Sequence, residues 1–253
     1  IVDWALRDSF SDKKIIRSFH DFIYDESIIS ALSLNAQSTI VPSDYLKNCI
    51  EATLVLSKKN IIEPIFTVPN GISFDEKLSS MINKNKNLRE VNLLFPHRPQ
   101  ITKGIIEAIK IAVKLQSKIP KNKVNLMMPY FCKGVNNDDT SLSFDQILNI
   151  AKNQKAENII KLHEWVPYQN MKRFYSLANI TICPGNFIES FGLVPLESVV
   201  NNTPAICSSV GGFRNYTNIP AIKLFPYGDI DSAVDNILDC LEIPSDDIII
   251  SKE

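Results

Sequence analysis

Short apolar runs alternate with amphipathic stretches along almost the whole chain. The runs Ile15–Ser18, Ser38–Val41, Pro64–Val68, Val91–Pro96, Val124–Pro129, Ile159–His163, Ile180–Pro184, Pro204–Ser208 and Ala221–Phe225 read as strands. Several end in Pro, His or Ser, residues that halt a strand or cap the next helix. Between them the apolar positions change to a helical period. It is clearest over Lys103–Leu115, where Ile105, Ile106, Ile109, Ala112 and Val113 share one face. Phe144–Ala151, Met171–Leu177, Leu193–Asn201 and Ile230–Leu241 predict further helices. Strands and helices that alternate at this spacing imply βαβ units, hence a parallel sheet with helices on both faces.

One polar stretch, Asp75–Glu90, interrupts the alternation and predicts a connection between two α/β units. The expected organisation is a partial Rossmann-like domain over 1–70, a connection over 71–90, and a complete doubly wound domain over 91–253. A sheet of about three strands offers little apolar area against backbone ordering of about 1–2 kcal/mol per residue. The first 70 residues are therefore expected to be the remnant of a larger domain.

Composition narrows the possibilities. With 45% hydrophobic and 22% charged residues the chain is an ordinary globular protein, and a net charge of −1 gives no field to hold nucleic acid. The five cysteines contain no CxxC pair, which points to reduced thiols and a cytoplasmic setting. No apolar run is long enough to span a bilayer. The three histidines are scattered, so no metal site is expected, and His97 and the ring of His163 read as structural.

Candidate chemistry concentrates in two segments. Glu189-Ser-Phe-Gly-Leu-Val-Pro-Leu-Glu197 follows one predicted strand and opens a helix. Open α/β sheets bind ligands at the carboxyl ends of their strands, where Gly192 admits close backbone approach and helix N–H groups meet an anion. Two carboxylates so placed suit sugar and ribose hydroxyls. Taken alone, they also suit a solvated helix face (Glu197) and a helix-dipole partner (Glu189). The second segment is Phe95-Pro-His-Arg-Pro-Gln-Ile-Thr-Lys-Gly104. It puts Arg98 and Lys103 before a helix start, where cations oppose the macrodipole unless an anion binds. Two charge contacts of about 4 kcal/mol each would stabilise a departing diphosphate without magnesium.

The order HRPQITKGIIEA, HEWVPYQNMKRFYSLANITICPG, ESFGLVPLESVVNNTPAICSSVGG resembles a family 4 retaining glycosyltransferase of GT-B architecture. PNGI at 69–72 resembles that family's crossing between domains, and IVPSDYLKN at 40–48 its last acceptor-domain strand and helix. The resemblance implies transfer of a hexosyl group from a nucleoside-diphosphate sugar, UDP or GDP, to a carbohydrate, glycolipid or small-molecule acceptor. It implies no further cofactor. By the same resemblance Arg98 and Lys103 grip the pyrophosphate, Glu197 bonds the ribose, and Glu189 lies beside the donor sugar. Backbone at Phe191, Gly192 and Leu193 would meet sugar and phosphate. The loop from His163 to Val166 would flank the base, and His20 would face the donor sugar from the acceptor side. Two positions depart from the pattern: Asn215 stands where the G-G-x-x-E turn carries an acid, and Asn201-Asn202 where a small residue and glycine are usual. The early acceptor-domain strands are not in this sequence, and membrane attachment is expected only through them. Two other readings remain open: a nucleotide-sugar-binding module inactive alone, and another GT-B enzyme such as an epimerase or phosphorylase.

Overall fold

The computed structural model describes residues 12–21, 36–58, 63–72, 89–131 and 141–242. The expected connection over 75–90 lies largely outside these residues, as does Cys132. The described chain forms two compact units, one made of Ile1–Gly71 with Ile188–Gly192 and the other of Ile72–Phe187 with Leu193–Glu253.

The first unit holds three parallel strands, β1 (Ile16–Ser18), β2 (Ser38–Val41) and β3 (Ile65–Thr67), in the order β1-β2-β3. Helix α1 (Asp44–Leu56) buries Leu46, Ile50 and Leu54 with Val41 of β2. Ser43 starts it: its Oγ accepts from the Leu46 amide at 3.1 Å, satisfying a donor that the first helical turn leaves orphaned.

The second unit is a six-stranded parallel sheet of β4 (Glu90–Leu94), β5 (Lys123–Tyr130), β6 (Ile160–Glu164), β7 (Ile180–Cys183), β8 (Ala205–Ser208) and β9 (Ile222–Phe225). Its order is β6-β5-β4-β7-β8-β9. The chain winds outward from β4 in one direction, then returns to β7 and winds outward in the other. Helices α2 (Ile105–Lys118), α3 (Phe144–Asn153) and α6 (Ile230–Glu242) pack on one face with Leu93, Ile182 and Ile206. Helices α4 (Tyr168–Leu177) and α5 (Leu193–Val200) cover the other, against Leu94, Cys183 and Cys207. Adjacent strand residues thus enter opposite cores. Every residue of β7 and β8 is buried, Thr181 and Ser208 included, because both faces of the sheet are covered.

All nine predicted strands form, with ends moved by a residue or two. β4 stops two residues short of Pro96, and β5 runs through Pro129 instead of stopping there. β4 ends at Leu94, opposite Met127, and Phe95 N still donates to Met127 O. Leu126 N donates toward β6, as Trp165 N does to Tyr130 O. Odd-numbered residues of β5 therefore face β4, and the missing N–H of Pro129 falls beyond the end of that strand. The helix expected from Lys103 begins instead at Ile105. Gly104 has φ 89°, a left-handed conformation incompatible with the helix interior. The glycine turn at Gly211–Asn218 winds into a 3₁₀ helix.

Candidate functional site

The sheet order has one switch point, between β4 and β7. Loops leaving the carboxyl ends of those strands diverge to opposite faces and open the crevice where ligands bind in sheets of this kind. The loop after β4 carries Arg98 and Lys103. The loop after β7 leads to α5 and Glu197.

These loops meet backbone to backbone. Asn186 N and Phe187 N donate to Thr102 O at 3.0 and 2.9 Å. A Cβ on Gly104 would lie 2.4 Å from Gly185 N, and one on Gly185 would lie 2.4 Å from Thr102 O. Glycine is required on both sides of the contact. Lys103 Nζ sits 3.5 Å from the centre of the Phe187 ring, a cation–π contact that holds the ammonium at the switch point. Arg98 is exposed on the same loop. Helix α2 starts beyond it without a side-chain cap, leaving N–H donors at its amino end.

Glu197 is half-buried, not a solvated helix-face residue. Tyr175 of α4, buried against Leu94 and Ala178, donates its O–H to Glu197 Oε2 at 2.8 Å. Burial, with the carboxylate adding to it, pushes the Tyr175 phenol far above its usual range, so it remains a donor. Leu193 opens α5 and is exposed.

At the end of β6 the His163 ring turns inward, with its centroid 4.5 Å from the Phe174 ring and Nδ1 2.8 Å from Glu164 O. Desolvation lowers its pKa, partly opposed by the Glu164 carbonyl. Past it, Trp165 stacks on Phe131 with centroids 4.9 Å apart, and Val166 is half-buried.

Glu189, Phe191 and Gly192 group with the first unit. There Ser190 Oγ donates to His20 O at 2.5 Å, and Ser43 Oγ donates to Ser190 O. His20 follows β1, its Nε2 2.9 Å from Ser18 Oγ. Among the described residues no group of three or more His, Cys, Asp and Glu side chains could hold a metal ion, and no helix is long and apolar enough to cross a membrane.

Sequence reasoning missed Tyr175, Phe187 and Gly185. A lone phenol on the apolar face of α4 was the available signal for Tyr175. Phe187 and Gly185 carry no signal short of the contact itself.

A doubly wound sheet with Arg98 and Lys103 on the loop after β4, and a tyrosine-held carboxylate on the helix after β7, places this chain among the α/β proteins with an open, mostly parallel sheet. The model of the family described as glycosyl transferases group 1 matches residues 77–250, and the chain belongs to that family. Among curated relatives, D-inositol 3-phosphate glycosyltransferase of Corynebacterium aurimucosum is 28% identical over 118 residues, 47% of this chain and 27% of that protein. The same enzyme of Streptosporangium roseum is 27% identical over 48% of this chain, again 27% of that protein. Matches of this kind span about a quarter of those relatives' length. Among solved structures, sucrose-phosphate synthase of Thermosynechococcus elongatus superposes with a TM-score of 0.69 at 20% identity, over 95% of this chain and 61% of that one. Anabaena HepE in complex with UDP gives 0.70 at 14% identity, over 95% and 66%. The fold is of the GT-B type.

Proposed function

We propose that the chain is the donor-binding part of a retaining hexosyltransferase of the family 4 kind, using a UDP- or GDP-sugar without a metal ion. The observation that carries this reading is the pair Arg98 and Lys103 at an uncapped helix start on the switch point. Cations there oppose the helix dipole, and a bound diphosphate reverses the sign of that interaction. The complexes of Anabaena HepE with UDP and with UDP-glucose are consistent with it.

In this reading 91–253 is the donor domain, 71–90 the connection and 1–70 part of the acceptor domain. Glu197 accepts from the ribose hydroxyls, and main chain at His163 to Val166 borders the base. Backbone at Phe191, Gly192 and Leu193 meets the sugar and phosphates. Glu189 orients and polarises the donor sugar, and His20 serves it from the acceptor side. The bond from the anomeric carbon to the diphosphate oxygen breaks as the acceptor oxygen attacks from the same face. The acceptor proton passes to the departing phosphate. Arg98 and Lys103 neutralise charge that grows on that phosphate, so they act on kcat as well as on binding. The acceptor is a carbohydrate, glycolipid or small molecule. A cytoplasmic setting fits Cys49, Cys183, Cys207 and Cys240, none of which is in a disulfide.

Calorimetric titration of the chain with UDP, GDP and ADP tests the reading. Saturable binding of one nucleotide, weakened by Glu197→Ala, is expected. Indifference of that affinity to Glu197→Ala would remove the ribose assignment. Turnover by the full-length protein, with retained anomeric configuration in the product, tests the reaction.

A further inference from the structure

We infer that Tyr175 is a positioning residue for nucleotide recognition: it holds the Glu197 carboxylate in the one orientation that meets a ribose. The inference rests on Glu197 being the ribose ligand.

The geometry is specific. Tyr175 is 1% exposed, and a phenol so deeply buried must have a partner for its O–H. That partner is Glu197 Oε2 at 2.8 Å, on the neighbouring helix. Both ends of the contact are fixed by the chain around them. Thr203 Oγ1 donates to Tyr175 O at 2.7 Å, tying the end of α4 to the turn after α5. Ser198 Oγ lies 2.7 Å from Thr181 Oγ1 and 2.8 Å from Thr203 O, which seats α5 on β7. Asn201 Nδ2 donates to Glu197 O at 2.7 Å. Within this arrangement the Glu197 side chain is the long, rotatable part, and the Tyr175 O–H restrains its carboxylate. One oxygen is engaged from the protein side, which leaves Oε1 to accept from ribose. A carboxylate already ordered loses less entropy when the nucleotide arrives. The bond is also charge-assisted, so it survives in the half-buried setting where a neutral pair would compete poorly with water.

Binding to the 253-residue chain is measured by calorimetry for the unaltered protein, Tyr175→Phe, Glu197→Ala and the double variant. The probes are UDP and 2′,3′-dideoxyuridine diphosphate, or the guanosine pair should the unaltered chain take GDP. Tyr175→Phe is expected to weaken UDP about fivefold to tenfold, to leave the dideoxy compound unchanged, and to add nothing in the Glu197→Ala background. An equal loss for both probes would mean that Tyr175 only supports the fold, and would overturn the inference. So would unaltered UDP affinity in Tyr175→Phe where Glu197→Ala binds weakly, and the assignment of Glu197 would then still stand. Failure of the unaltered chain to bind either nucleotide, or of Glu197→Ala to weaken it, overturns the site reading and this inference with it. Should Tyr175→Phe not fold, the buried phenolic proton of the unaltered protein carries the test by proton NMR. It should give a slowly exchanging resonance, absent in Glu197→Ala, that shifts with UDP and not with pyrophosphate. A resonance that ignores UDP would overturn the inference equally.

Discussion

Gly104 and Gly185 touch through their backbones, with no room for a side chain on either. The contact joins the loop after β4 to the loop after β7 at the point where the sheet reverses its winding. It fixes the height of Lys103 above the sheet edge and brings its ammonium over Phe187.

Gly185→Ala is therefore expected to separate these loops. Its methyl group would press on the Thr102 carbonyl, which already accepts from Asn186 and Phe187. A loss of about 2 kcal/mol, or about 4–8 °C in Tm, is expected, with nucleotide affinity falling beyond what stability explains. Gly104→Ala should cost more, since strain at φ 89° adds to the clash. Thermal melting with and without UDP reads both effects. A variant as stable as the parent would mean that the two loops are free to move apart.

On the proposed reading, replacing Arg98 or Lys103 with Ala should lower kcat of the full-length protein by about 10²-fold each, the scale of one lost transition-state charge contact. Loss confined to KM would assign the pair to ground-state binding alone.

Chelation gives a different check. If the cation pair does the work of a metal, UDP affinity should be the same in excess EDTA and in excess magnesium. At about 100 times its Kd, UDP should stabilise the chain by about 2.7 kcal/mol under both conditions. Binding that appears only with magnesium would transfer the phosphate charge to an ion.

His163 predicts a pH dependence. Its folded pKa lies below the ordinary 6.5 because burial disfavours the imidazolium. Below 6.5 the unfolded chain takes up a proton that the folded ring resists, so this contribution to stability is complete above 6.5 and declines as pH falls toward the folded value. Denaturant melts between about pH 7.5 and about pH 5.5 should show the decline, and His163→Phe should reduce it. An unchanged slope in that variant would assign the effect to other groups.

Much of this was written in local pattern. Leu93 and Leu94, or Ile182 and Cys183, are adjacent apolar residues because neighbouring positions of a buried strand face two different cores. That repetition made strands, helices and the parallel arrangement legible without coordinates. The spacing of Arg98, Lys103, Glu189 and Glu197 was equally local, since the first two lie between β4 and α2 and the second two between the end of β7 and the second turn of α5. Element ends were less legible. Pro129 reads as a strand stop, yet β5 passes through it because the neighbour on that side has already ended.

The order of hydrophobic and polar residues thus determined an α/β chain with cations and carboxylates at its strand ends. Only the tertiary structure decided what those groups face. Strand order, which no local period encodes, put the switch point between β4 and β7, and packing across it chose Phe187 for Lys103 and Tyr175 for Glu197. Those partners are separated by 84 and 22 positions in sequence, and proximity at such distances is a property of the folded sheet alone.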